Sequence, residues 1–400
     1  MNTSNANATA APATGGECEV SVVMPCLNEA DTVAVCVAKA VECLRRLGVD
    51  GEVLVADNGS TDGSRDLARA AGARVVPVEA RGYGAALMGG IAAARGRFVI
   101  MADADDSYDL SDLAKFIEAL RNGCDLVQGC RLPWGGGTVM PGAMPFLHRW
   151  WGNPMFTIMA QWMFHSPVSD IYCGFRGFRR DWQQRLEQRC TGMEFATEML
   201  IKGSLTGAKI VQVPITLHPD GRKAHAPHLK TFRDGWRTLR FFLLCSPRWL
   251  FLQPGLVLMI LGAVGYGLAL PGVRIGPATF DVHTLLVASL TILCGFQAAM
   301  FAVIIKTFAV SEGVLPPDWR MARFFKVATL ERGLAIAGVA LALGAVLIGT
   351  AVLRWHDVGY GRLDYPSTMR LVIPGVTLFA LGFQTVLGGF FVSMLGMSRR

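Results

Sequence analysis

Four hundred residues suffice for two or three domains, and an apolar fraction of 52% with a mean hydropathy of +0.37 exceeds what a soluble core requires, which excludes a purely soluble protein. The net charge of +7 is compatible with nucleic acid or with an anionic bilayer. Much of the basic surplus lies just before the apolar half, which favours a membrane and disfavours nucleic acid.

In chain order, the first residues are rich in Asn, Ala and Thr, with neither a basic start nor an apolar stretch. Residues 1–18 therefore read as a disordered tail and not as a signal peptide. From 19 to 221, short β-branched runs alternate with helical stretches, the pattern of a mostly parallel sheet covered by helices. Strands are predicted at 20–24, 53–56, 74–76, 98–102 and 126–128. Ligands of open α/β sheets gather at the carboxyl ends of strands, so the site should draw on residues 25–29, 57–60 and 103–109. Ten cysteines show no CxxC pairing and no zinc-site spacing, as in a reduced, cytosolic domain.

Residues 222–248 interleave Arg222, Lys223, Lys230, Arg233, Arg237, Arg240 and Arg248 with Leu229, Phe232, Trp236, Leu239 and Leu243 at helical spacing. This predicts a basic amphipathic helix in the headgroup region, with a solvated linker helix as the alternative. Apolar stretches at 249–270, 285–310, 333–353 and 371–395 are each long enough to cross a bilayer, making 249–400 a membrane domain of about four spans. Arg320, Arg323, Lys326 and Arg332, with Arg399 and Arg400, put both ends on the cytoplasmic side, although Arg354, Arg362 and Arg370 weaken that bias.

The chemistry-bearing motif follows the run at 98–102: Asp103-Ala104-Asp105-Asp106-Ser107. A strand end holds carboxylates rigidly, and a hard cation of the magnesium type takes one or two of them plus substrate phosphates. Such an ion offsets charge developing on a nucleotide leaving group. A DxD alone is also common surface-turn chemistry. Here it stands beside Met24-Pro25-Cys26-Leu27-Asn28-Glu29 and Ala56-Asp57-Asn58-Gly59-Ser60-Thr61-Asp62, each closing an apolar run. These stretches resemble the nucleotide-binding motifs of family 2 glycosyltransferases with the GT-A fold. The resemblance implies that Pro25, Glu29 and Asp57 border the base and ribose, and that Asp103 and Asp105 hold Mg2+ or Mn2+. Where that family often has a second Asp, this chain has Asn58. Gly82, in Arg81-Gly82-Tyr83-Gly84, opens an Ala- and Gly-rich helix whose N-terminus favours an anion, close helix packing being the other use of such glycines.

Gln128-Gly129-Cys130-Arg131, His148-Arg149-Trp150-Trp151 and Ser169-Asp170-Ile171-Tyr172-Cys173-Gly174-Phe175-Arg176 narrow the likeness to polyprenyl-phosphate sugar transferases of the dolichol-phosphate mannose or glucose synthase type. That likeness implies a UDP- or GDP-sugar donor, a polyprenyl-phosphate acceptor held by Arg131 and Arg149, and an inverting transfer at the cytoplasmic face of the inner membrane. Asp170 would steer the acceptor or a sugar hydroxyl. The family commonly has Gln where Ser107 stands, so Ser107 or a water would complete the metal shell. A processive polysaccharide synthase is disfavoured, since Thr197-Glu198 is followed by Met199 and Gln183-Gln184-Arg185 lacks a Trp. A non-catalytic domain of a lipid-sugar flippase is disfavoured by the intact Asp103 and Asp105. Self-association into a homo-oligomer stays open.

Overall fold

Residues 18–222, 231–317 and 319–396 are described by a computed structural model of the chain, and they fall into two compact units, Met1–Leu239 and Arg240–Arg400. The expected N-terminal tail, Lys223, Leu229, Lys230, Arg399 and Arg400 lie outside the described residues, apart from Cys18 at the end of that tail.

The first unit runs β1 (Val20–Cys26), α1 (Val33–Arg46), β2 (Gly51–Asp57), α2 (Ser64–Ala70), β3 (Arg74–Pro77), α3 (Tyr83–Ala93), β4 (Phe98–Met101) and α4 (Leu113–Arg121). It continues through β5 (Leu126–Cys130), β6 (Thr138–Val139), α5 (Asn153–Phe164), β7 (Arg176–Arg179), α6 (Arg180–Arg185), α7 (Glu194–Leu205), β8 (Ile210–Pro214) and β9 (Thr216–Leu217). Seven strands form one sheet in the order β3-β2-β1-β4-β7-β5-β8, and β6 pairs with β9. All neighbours in the large sheet are parallel except β7, which runs antiparallel to both β4 and β5. This is the mostly parallel GT-A sheet the sequence implied, with strands close to the predicted bounds. The antiparallel β7 was not foreseen because Arg-Gly-Phe-Arg has no apolar run to announce it.

β1 is buried at six of its seven positions, as a central strand covered by helices on both faces must be. Its neighbours are β2 on one side and β4 on the other, so the winding direction reverses there. The crevice beyond the carboxyl ends of β1 and β4 is thus the topological switch point, the usual ligand position of open α/β sheets. α3 lies close over this centre: a Cβ added to Gly90 would stand 2.5 Å from Val23 Cγ1 and 3.0 Å from the Ala56 Cβ.

The helix α8 (Thr231–Cys245) bridges the unit boundary. The second unit contains α9 (Gln253–Ala269), a β10 (Arg274–Ile275) and β11 (Ala278–Thr279) hairpin, α10 (Val282–Ser311), α11 (Trp319–Val327), α12 (Leu330–Asp357) and α13 (Tyr365–Gly396). Among the described residues, four helices of this unit are long and apolar enough to cross a membrane, counting the π-helical turn Arg248–Leu252 with α9. They meet at small residues, as helices do where lipid removes the hydrophobic drive to associate. A Cβ on Gly255 would stand 2.7 Å from the Gly295 carbonyl, and one on Gly344 2.7 Å from the Gly375 carbonyl.

Gly90→Val should lower stability by about 1–3 kcal/mol through overpacking against Val23 and Ala56. Thermal unfolding of the detergent-purified protein reads this, and an unchanged midpoint would mean that α3 is not seated there.

Candidate active site

The loop after β1 and the loop after β2 are built as one piece. Asn28 adopts a left-handed conformation, φ 59°, so its amide donates to Ser60 Oγ at 2.9 Å while its Oδ1 accepts from the Thr61 amide at 2.9 Å. Pro25 sits in β1 opposite Ala56, one residue before Asp57. The Asp57 carboxylate is buried and accepts from the Gly59 amide at 3.1 Å and from Arg65 Nε at 2.6 Å. In this structure it therefore holds the turn, rather than standing free toward a ligand. Asn58, the departure from the family pattern, has its own work: it donates to the carbonyls of Val78 and Ala80 and accepts from the Gly82 amide at 2.8 Å.

The DxD lies beside these loops. Asp103 Oδ1 accepts from the Tyr83 hydroxyl at 2.9 Å, and Gly174 passes so close that an added Cβ would be 2.6 Å from Asp103 Oδ2. Burial, reinforced by the charge of Asp105, pushes the Asp103 carboxyl up to about 6. Asp105 Oδ1 accepts from the Ser107 amide at 3.1 Å and from its hydroxyl at 2.6 Å. Ser107 accordingly braces Asp105, with its hydroxyl proton committed there and its oxygen lone pairs left over. Among the described residues, no three His, Cys, Asp or Glu groups gather as a ready-made metal site. Two carboxylates with open lone pairs nevertheless suit a hard cation that brings phosphate oxygens with it.

Arg222, which the sequence places at the start of a basic helix, lies before α8 and outside it. After β9 the chain runs beside the DxD, with the His218 amide donating to the Ser107 carbonyl at 2.8 Å and the Gly221 amide to the Asp105 carbonyl at 2.9 Å. Arg222 is thereby delivered to the acidic cluster. It pairs with Glu29 at 2.7 Å and Asp220 at 2.7 Å, and lies 3.5 Å from Asp105 Oδ2. Glu29, Asp105 and Arg222 come together from three distant stretches of sequence.

Arg131 and Asp170 meet as a bidentate pair, with Nε to Oδ2 at 2.8 Å and Nη2 to Oδ1 at 2.9 Å. The Arg131 amide also donates to Oδ2, at 3.1 Å, and Asn153 Nδ2 donates to Oδ1 at 3.0 Å. Burial pushes the Asp170 carboxyl up, but the Arg131 charge and these donors outweigh it and hold the group below its ordinary value. With both oxygens engaged, Asp170 is a counter-ion here, not a group free to steer a substrate. Arg149, in the π-helical turn His148–Gly152 that leads into α5, lies over the Trp150 ring at 5.4 Å. Its Nε is buried without a hydrogen-bond partner among the described residues.

Two buried cations to which the sequence assigns no role of their own shape the adjoining loops. Arg176 donates to the carbonyls of Cys173 at 3.0 Å, Ile171 at 2.7 Å and Ala196, fixing the turn that carries Gly174. Lys202 pairs with Glu198 at 2.9 Å, and Glu198 accepts from the amides of Arg189 and Cys190. The loop so held sits on the start of α3: the Ala85 amide donates to the Thr191 carbonyl at 3.0 Å, and a Cβ on Gly82 would lie 2.4 Å from that same oxygen. Gly82 thus serves close packing, and part of the expected anion cradle is already occupied by protein.

Asp170→Asn should cost about 3–5 kcal/mol, because it leaves the Arg131 guanidinium buried without its counter-charge. The wild-type contribution is present above the ordinary carboxylate range and is lost as pH falls through the depressed folded value. Thermal unfolding as a function of pH should therefore show an acid-side decline from this pair that the variant lacks. Equal midpoints at neutral pH would contradict this role.

Residues 21–186 match the family model described as Glycosyl transferase family 2, and residues 303–396 match Glycosyltransferase family 2 C-terminal transmembrane region. The chain is 35% identical over 378 residues to Low-salt glycan biosynthesis hexosyltransferase Agl6 of Haloferax volcanii, covering 94% of this chain and 89% of that protein. It is 31% identical over 218 residues to a protein of the same organism named Dolichyl-phosphate hexose transferase, covering 54% of this chain and 89% of that one. With a likeness that extends through both units, the chain belongs to glycosyl transferase family 2 and is a glycosyltransferase with a C-terminal transmembrane region.

Proposed function

We propose that the chain moves a sugar from a UDP- or GDP-sugar to a polyprenyl phosphate at the cytoplasmic membrane face, with inversion, using Mg2+ or Mn2+ held by Asp103 and Asp105. The observation that carries the reading is the convergence of Glu29, Asp103, Asp105 and Arg222 at the switch point of the sheet. A donor diphosphate has there both carboxylates for its cation and a guanidinium for its own charge. A lipid-phosphate acceptor is supported by the 31% identical relative whose name is dolichyl-phosphate hexose transferase. The cation, when bound, neutralises charge on the departing nucleoside diphosphate.

A phosphate monoester loses its second proton at a pKa of about 6, so the lipid phosphate is mostly dianionic at neutral pH and attacks without a strong base. Its oxygen forms a bond to the anomeric carbon as the bond from that carbon to the donor diphosphate breaks, and a single displacement inverts the centre. The demand on the protein is to bring two polyanions together. Arg149, with its buried Nε unmatched among the described residues, is suited to take the acceptor phosphate. Arg131 contributes positive field from a position that Asp170 fixes. Pro25 and Asp57 shape the wall for the base and ribose, and Ser107 keeps Asp105 aimed.

Arg320, Arg323 and Lys326 on α11, with Arg332, support a cytoplasmic catalytic unit. Arg354, Arg362 and Arg370 count against that bias, Arg370 being paired with Asp281 at 2.8 Å. For the interfacial role of α8, Trp236 stands exposed on the described part of the helix, while Arg222 no longer contributes.

Asp105→Ala should reduce transfer to polyprenyl phosphate by about 100-fold or more, the scale of removing a charge-stabilising group. Arg149→Ala should raise the KM for the lipid by roughly tenfold and leave the donor KM alone. Membranes incubated with a panel of nucleotide-sugars, with the lipid product identified by mass, test both. Near-normal transfer by Asp105→Ala would refute the metal role, and no product from any donor would refute the activity.

A further inference from the structure

Helix α5 is apolar on both sides. Its inner face is accounted for, since Asn153, Phe156, Thr157, Ala160 and Phe164 are all buried. The outer face should then be polar, as on any helix at the surface of a soluble domain. Instead Trp151 is 69% exposed, Met155 48%, Ile158 63% and Trp162 63%, and their spacing of four, three and four residues sets them in one stripe. Phe146 and Trp150, just upstream, are also exposed, with rings 6.5 Å apart. Isolated exposed apolar residues are ordinary, but a contiguous patch of this kind marks an interaction surface.

The charges nearby select the partner. Residues 140–169 contain no Asp or Glu, and their ionisable groups are His148, Arg149 and His165. An anionic headgroup layer therefore meets no carboxylate from this segment and finds a guanidinium. Tryptophan suits that depth, with an apolar ring and a polar N–H. The chain continues into helices able to cross a membrane, so a bilayer is always within reach of the first unit.

We propose that the Trp151, Met155, Ile158 and Trp162 stripe is seated in the headgroup-to-acyl boundary of the bilayer, making α5 an in-plane anchor of the catalytic unit. This deepens the functional reading above and rests on it in one respect, that the acceptor is a membrane lipid. An anchored α5 holds Arg149, in the turn that precedes it, at the depth where a lipid phosphate resides. The acceptor then needs no lifting from the membrane to be bound.

The full chain, reconstituted in vesicles with anionic phospholipid, tests this through Trp151→Glu and Ile158→Glu, both at exposed positions. Transfer to long-chain polyprenyl phosphate in the vesicle should fall by roughly 10- to 100-fold, the scale of forcing a carboxylate into an apolar layer. Transfer to a short, water-soluble isoprenyl phosphate should be unchanged. Equal activity on the long acceptor, or equal loss on both, would overturn the anchor. A wild type inactive on both acceptors would count against the proposed function instead, and the anchor is then decided without turnover. Acyl-brominated lipids should quench less of the tryptophan emission in Trp151→Phe than in wild type, and an identical quenched fraction would overturn the proposal. So would a lower particle mass of Trp151→Glu in detergent, because the stripe would then be an interface between copies of the chain.

Discussion

Asp103 and Asp105, two positions apart at the end of a buried strand, repel each other where burial leaves Asp103 poorly solvated. Much of the first unit is arranged around that pair. Tyr83 gives Asp103 a hydroxyl proton, Ser107 gives Asp105 two donors, and Arg222 returns from the far end of the domain to lend its charge. Burial, reinforced by the charge of Asp105, still pushes the Asp103 carboxyl up to about 6. In the proposed function, a cation arriving with a diphosphate would offset the repulsion between these two carboxylates.

A second buried charge pair does the opposite work. Arg131 and Asp170 satisfy each other, and Asn153 ties them to α5. Asn153 also faces inward on the helix whose outer side is the aromatic stripe. The same short element therefore connects the interior charge pair to the exposed apolar face, and Arg149 stands at its entrance. Glycine packing supports this economy of space: Gly174 admits the loop against Asp103, and Gly82 admits the loop at Thr191 against α3.

The parallel strands and their acidic ends were legible because apolar runs of β-branched residues ending in Asp or Asn carry their own signal. The four long apolar helices were legible from length and composition alone. What sequence could not convey was pairing across distance. Arg222 looked like part of a basic run because nothing local distinguishes a guanidinium bound to Glu29 from one facing lipid. Asp170 and Arg131 were both singled out, but as separate actors, since their contact depends on β5 and the turn before β7 converging. β7 itself was hidden by its arginines, one of which, Arg176, is fully buried on backbone carbonyls. The outer stripe of α5 has no signal in the sequence, because Trp, Met and Ile in a helix read as core until their exposure is known.

The central claim is that Asp103 and Asp105 together receive a cation that accompanies a nucleoside diphosphate. Mn2+ titration of the purified chain at saturating UDP or GDP, followed by loss of the free-ion paramagnetic resonance signal, tests it without requiring turnover. The account predicts one bound ion in the wild type and an affinity at least about tenfold weaker in both Asp103→Asn and Asp105→Asn. Titrations that superimpose for all three proteins would contradict it.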